Sequence, residues 1–199
     1  KAGDELKFPF AKRYEYIVKK ISKANKRLGN NVITEGREFL PRGAYILAID
    51  SKDNLAIATM LNALGQDRVA TFIKEGKRSK KSLQGYWKAS NSFFIPSGDA
   101  KARESKFNAA ASWAKSNNRA LMTFPKIDGE ESYDVTPFMV AQKFFLPIVP
   151  VSIKNLDGNF FHLNPAKVKV VFHKPIKPMQ IIHFDADRVS KMVKEINEK

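Results

Sequence analysis

Apolar side chains recur at helical spacing near the start of the chain. Phe10, Tyr14, Ile17, Ile21 and Leu28 lie on one stripe, with Ala24 filling the missing step. Most of the remaining surface is basic: Lys12, Arg13, Lys19, Lys20, Lys23, Lys26 and Arg27. The pattern predicts an amphipathic helix stopped by Gly29-Asn30. A short strand follows at Val32-Ile33-Thr34, then a punctuated connection, Glu35-Gly36 and Leu40-Pro41-Arg42-Gly43. Ala44 to Ile49 is an unbroken apolar run, which predicts a strand buried on both faces.

The same alternation continues to the end. Ser51, Asp53 or Asn54 can cap a helix whose core face carries Leu55, Ala58, Leu61 and Leu64. Arg68 to Ile73 and Asn91 to Pro96 read as strands on either side of a basic segment, Lys74 to Lys88. Ser97 or Asp99 caps a helix running to about Asn117, with Trp113 and Phe107 as core residues. Ala120 to Phe124 is a buried strand, and Lys126 to Asp134 a polar loop. Thr136-Pro137 opens a helix by the N-cap and N1 preferences, and Pro147 closes it. Strands are predicted at Ile148 to Ile153 and Lys167 to His173, with a turn at Asp157-Gly158-Asn159. Val189, Met192, Val193 and Ile196 make the last helix amphipathic. Strands alternating with helices predict an α/β fold: a mixed, largely parallel sheet flanked by helices on both faces.

Composition narrows the chemistry. The 199 residues include 43% hydrophobic positions and 15 Phe, enough to bury a core, so disorder is excluded as the main state. There is no Cys, which excludes a disulfide scaffold, a thiolate zinc site and a cysteine nucleophile. The three His, His162, His173 and His183, have no metal-ligand spacing. His173 reads as a partly exposed structural residue. Glu130, Glu131 and Asp134 read as a solvated acidic loop before a cation site, and Gly76-Lys77 lacks the spacing of a phosphate loop. No cofactor is called for. Lys and Arg exceed Asp and Glu by 35 to 20, a formal charge of +15. That excess demands an anionic partner. The first helix fits two descriptions equally, a solvated face on a helix packed against the domain or a basic helix lying on an anionic membrane. Lys74, Lys77, Arg78, Lys80 and Lys81 interleave with Leu83, Tyr86 and Trp87, a mixture that suits a membrane interface or single-stranded nucleic acid. No apolar stretch is long enough to cross a bilayer.

The order of segments resembles the glycerophospholipid acyltransferase family, the PlsC-like 1-acylglycerol-3-phosphate acyltransferases, over roughly Val32 to Pro178. Gly36-Arg37-Glu38-Phe39-Leu40-Pro41 is similar to the family's Gly-x-Glu-Asn-Leu-Pro lead-in to the buried strand that ends at Ser51. Phe72-Ile73-Lys74 and Phe93-Phe94-Ile95 bracket the basic loop. Phe124-Pro125 begins the Phe-Pro-Glu-Gly box, and Pro147-Ile148-Val149-Pro150-Val151 and Lys174-Pro175-Ile176 complete the order. The resemblance implies a His-x4-Asp motif, Asn-His-x-Ser-x-x-Asp, whose His takes the proton of the acceptor hydroxyl. Aligned on Ser51, that His position is Ile49 and the Asp position is Asn54. Sliding by one recovers Asp53 and leaves Ala48 at the base. Asp50 and Asp53 are poor substitutes, since Asp50 alternates to the face opposite Ile49 and Asp53 is better used as a cap. The phosphate box is altered too, with Lys126 in place of Glu and Ile127 in place of Gly.

The expectation is therefore a single domain: a basic helix over 1–31, an acyltransferase-like core over 32–178 and a C-terminal helix over 179–199. The resemblance implies a membrane-associated acyltransferase-like protein, inactive or impaired, that binds glycerophospholipid or an acyl chain at an anionic surface. Lys74, Lys77, Arg78, Lys80, Lys81, Trp87 and Lys126 would bind lipid or phosphate. Its partners would be an anionic phospholipid membrane or a lysophospholipid, with acidic acyl carrier protein as a further donor. It would sit on the cytoplasmic face, peripheral or anchored by a segment absent from this chain. An active lysophosphatidic acid acyltransferase with an unconventional base is the alternative, and a nucleic-acid-binding protein is the weaker second one.

Overall fold

The computed structural model describes residues 10–27, 31–51, 54–65, 69–74, 92–95, 99–127, 131–155 and 167–199. The chain begins with α1 (Phe10–Arg27), β1 (Asn31–Glu35), a single 3-10 turn (Arg37–Phe39), β2 (Tyr45–Asp50) and α2 (Asn54–Leu64). Next come β3 (Val69–Lys74), β4 (Phe93–Ile95), α3 (Ala100–Ser116), β5 (Ala120–Thr123) and α4 (Thr136–Phe144). It ends with β6 (Ile148–Lys154), β7 (Lys167–Phe172), the one-turn α5 (Pro178–Ile181) and α6 (Ala186–Asn197).

The strands form one seven-stranded sheet in the order β1-β7-β6-β2-β5-β3-β4. All neighbours are parallel except β6 and β7, so β1 and β7 run against the rest. β2 lies at the centre, which explains its unbroken apolar run: both of its faces are covered. Side chains alternate across it. Tyr45, Leu47 and Ile49 join Tyr14, Ile17 and Val18 of α1 and Ile57, Met60 and Leu61 of α2 on one face. Ile46 and Ala48 meet Phe107 of α3, Phe138 of α4, and Val189 and Val193 of α6 on the other. Each large side chain buried in these clusters contributes about 1.5–3 kcal/mol of transfer free energy. The fully buried Ala110, Ala111 and Ala114 let α3 approach the sheet closely.

Two local devices hold the architecture. Gly36 has φ +72, and a Cβ built on it would lie 2.0 Å from the carbonyl oxygen of Phe172, so the lead-in needs glycine there. Pro150 sits inside a central strand, where its missing N–H should break a ladder. The register explains it. Ile148 bridges Ile176 while Val151 pairs Phe172, a slip of one residue that puts a bulge at His173-Lys174 opposite Pro150. The proline keeps only its carbonyl bond, accepted from the His173 N–H at 3.0 Å.

Several sequence expectations change at this level. α1 packs its apolar stripe into the core, with the Tyr14 hydroxyl donating to the Gly65 carbonyl at 3.3 Å, so that stripe is not free to enter a membrane. The core face of α2 is Ala56, Ile57, Met60, Leu61, Ala63 and Leu64, whereas Ala58 is only half-buried. Leu61 and Leu64 of the expected face are buried as read, and the Leu55 side chain lies outside the described residues. The added positions reflect a helix packed between a sheet and α1, which buries two stripes. Asp99, not Ser97, caps α3, accepting from the N–H groups of Lys101 and Ala102. α4 is capped from two residues earlier: Asp134 accepts from the Thr136 N–H at 3.0 Å and from its hydroxyl at 2.7 Å. The expected turn at Asp157-Gly158-Asn159 lies outside the described residues.

Candidate functional site

In open α/β sheets, ligands gather beyond the carboxyl ends of the parallel strands. Here that edge is built from the ends of β2, β5 and β6. Ile49, which the sequence resemblance would align with a catalytic base, is fully buried in the α1–α2 cluster. Asp50, the next residue, turns to the opposite face and enters a polar chain.

Asp50 Oδ1 accepts from Lys126 Nζ at 3.0 Å, their side chains being 21% and 37% exposed. Lys126 follows Pro125 and is held by an isolated bridge to Tyr133, with the Asp134 N–H donating to the Pro125 carbonyl at 2.7 Å. The Tyr133 hydroxyl, on a residue 4% exposed, donates to Asp50 and accepts from Asn197 Nδ2 at 3.3 Å. Burial above all raises the Tyr133 phenol far beyond its usual range, with the charge of Asp50 adding to it and the Asn197 bond opposing. It therefore serves as a fixed hydroxyl donor at any working pH.

Asn197 ties this group to the next strand. Its side-chain amide also donates to the Ala48 carbonyl at 3.3 Å, and its main-chain carbonyl accepts from Ser152 Oγ at 2.7 Å. Ser152 is the register partner of Asp50 on β6. Its Oγ is 2.8 Å from His173 Nε2. Burial, and then the charge of Lys154, lower the His173 pKa, so the ring is neutral near pH 7. The result is one line of contacts, Lys126–Asp50–Tyr133–Asn197–Ser152–His173, closed over by the last turn of α6.

This arrangement can hold a polar or charged group but is poorly suited to the family's proton abstraction. Before Asp50 could act as a base, it would have to give up both an ammonium and a phenol. The sequence singled out Asp50 and Lys126 for separate roles, and the fold makes them a pair. Ser51 follows in a tight turn, its N–H donating to the Ile49 carbonyl at 2.9 Å. Asn54 is the first residue of α2 and Lys74 the last of β3. Asp53, Lys77, Arg78, Lys80, Lys81 and Trp87 lie outside the described residues.

Sequence reasoning missed Tyr133, Asn197 and Ser152. Asn197 carried a signal, since it lies four residues after Val193 on the apolar face of the last helix. Tyr133 and Ser152 carried none, because only the tertiary fold brings them to Asp50. The acidic loop is corrected as well. Asp134 is buried and ion-paired with Arg103 as well as capping α4, which makes it a structural carboxylate. Among the described residues, no group of three His, Cys, Asp or Glu is placed to hold a metal.

The three-dimensional arrangement matches a solved structure. Over 97% of its length the chain is similar to the 1-acyl-sn-glycerophosphate (LPA) acyltransferase PlsC from Thermotoga maritima, with a TM-score of 0.70 and 24% identity, covering 81% of that chain. This chain has the PlsC acyltransferase fold. No protein-family model and no curated protein matches the sequence. The PlsC fold accounts for the order of strands and for the expected mixed, largely parallel sheet with helices on both faces. Within the PlsC fold, the end of β2 offers Ile49 to the core and Asp50 to the polar chain.

Proposed function

We propose that this chain is an acyltransferase-like lipid-binding protein that has lost acyl transfer to a glycerol hydroxyl. It binds a glycerophospholipid, lysophospholipid or acyl chain at an anionic membrane surface, on the cytoplasmic face. The observation that carries the reading is Ile49: the base position holds a fully buried alkyl group packed against α1 and α2. Losing a general base forfeits a factor of about 10² to 10⁴ in rate. Asp50, engaged by Lys126 and Tyr133, is not free to replace it.

The membrane part rests on charge. With its apolar stripe in the core, α1 presents an outer face of Lys12, Lys19, Lys20 and Lys23, all exposed. Tyr16, 57% exposed, lies among them with Lys20 Nζ 5.4 Å from its ring centroid. Each lysine near an anionic surface contributes about 1 kcal/mol. Docking through this face is electrostatic, without insertion of the helix, and so sensitive to salt.

Two assays test the reading. Purified protein should show no transfer from an acyl thioester to lysophosphatidic acid; turnover abolished by Asp50→Ala or Asp53→Ala would overturn it. In flotation, the protein should rise with vesicles containing phosphatidylglycerol, stay behind with pure phosphatidylcholine, and be released by salt. Indifference to lipid charge, or tighter binding to single-stranded oligonucleotides, would overturn the membrane part.

A further inference from the structure

We infer that Ser152 and His173 form a second reaction centre, a serine nucleophile with its base, which accepts an acyl group from an activated ester or thioester. The centre is separate from the degenerate motif at Ile49 and does not depend on membrane binding. Its geometry is that of a nucleophile and base within hydrogen-bond reach, 2.8 Å from Oγ to Nε2. The pairing is not an accident of neighbouring residues in sequence. Ser152 lies on β6, His173 just beyond β7, and the bulge opposite Pro150 brings the ring to the serine. Both lie at the polar edge formed with Asp50, the register partner of Ser152.

Two further features fit this chemistry. The imidazole is kept neutral by burial and by the charge of Lys154, as a base must be. Lys154 also lies two residues after Ser152, on the same face of β6, where a positive charge favours an oxyanion at an attacked carbonyl. Against immediate reaction, Ser152 is 4% exposed and its single proton is already engaged. In the resting arrangement Oγ donates to the Asn197 carbonyl at 2.7 Å, and the ring N–H then donates to Oγ. The last turn of α6 is therefore a latch. When it lifts, Oγ loses the Asn197 acceptor and becomes accessible, and its proton can pass to Nε2 in the other tautomer.

The step balances as follows. Ser152 Oγ bonds to the acyl carbon, the carbon–sulfur or carbon–oxygen bond of the donor breaks, and the serine proton moves to His173 Nε2. From there it goes to the leaving thiolate or alkoxide. Water then attacks the serine ester, His173 takes the water proton and returns it to Oγ, and the carboxylic acid leaves.

The test uses the folded full-length chain with a fluorophosphonate probe, read by intact mass and peptide mapping. One adduct is expected, at Ser152, absent in Ser152→Ala and slowed by about 10² or more in His173→Gln. Asn197→Ala, which removes the side-chain bonds holding the latch, should accelerate labelling several-fold, as should hydrolysis of p-nitrophenyl esters of fatty acids. Protein in 8 M urea serves as the unfolded control and should not react. Absence of an adduct in both the native chain and Asn197→Ala overturns the inference. So does an adduct at another serine, or equal labelling of His173→Gln or of the urea-treated chain.

Discussion

Ile49 and Asp50 are neighbours on one strand, yet they belong to two different environments. Ile49 faces a dry layer in which α1 and α2 press apolar side chains onto the sheet. Asp50 faces a layer that is equally dry at its base but ends in a connected set of polar groups under α6. The same strand thus separates packing from chemistry with a period of two. A side chain placed at 49 has nothing polar to act on, and one at 50 is already engaged. A histidine at 49 would enter a layer of packed apolar side chains.

That contrast can be broken from either side. The largest effect is expected at the dry face. Ile49→Ala should cost about 2–5 kcal/mol through lost transfer energy and a residual cavity. Ile49→His should be similarly destabilising, because an imidazole buried without a partner costs about 1–3 kcal/mol beyond the lost packing. Urea unfolding gives both numbers, and a neutral Ile49→His would show that the layer is open. Asn197→Ala comes next, at about 1–3 kcal/mol, since it removes buried side-chain bonds to the Ala48 carbonyl and to the Tyr133 hydroxyl. Its distinctive readout is faster amide hydrogen exchange confined to the end of α6. Lys126→Ala should cost about 1 kcal/mol or less, because the pair with Asp50 is partly exposed and screened. A double-mutant cycle with Asp50→Asn isolates the coupling.

The smallest effect is a pH dependence. His173 binds its proton less readily in the folded chain than in the unfolded one. Above the ordinary histidine pKa of about 6.5 the ring is neutral in both states and costs nothing. As the pH falls below that, the unfolded chain takes up the proton first, so stability drops until the folded pKa is reached. Urea midpoints measured downward from pH 7.5 should show this decline, and His173→Gln should remove its contribution.

The fold was largely legible from the sequence because its signals are local and repeated. The run from Ala44 to Ile49 reads as a strand covered on both sides, and Gly36 falls in the punctuated lead-in before it. Ile49 was singled out by its fixed distance from Ser51, and the fold places its side chain in the α1–α2 cluster. The polar chain was not legible. Its members come from β2, the loop after β5, β6, the end of β7 and the last turn of α6, and no periodicity connects them. Even the bias of the first helix was ambiguous, since an apolar stripe looks the same whether it meets a sheet or a bilayer. The α2 face was read only in part, Leu61 and Leu64 being right, because periodicity gives one stripe, whereas a helix wedged between two layers buries two.

The pairing of β1 with β7 has a consequence for how the chain reaches this state. Asn31 pairs with Lys167, so the first strand of the sheet waits for a partner separated from it by most of the chain. Contacts of such long range slow folding. During synthesis β1 stays without its strand partner until residues 167–172 have been made. β1 then completes its pairing only when β7 arrives, whereas α1 already has α2 and β2 to pack against.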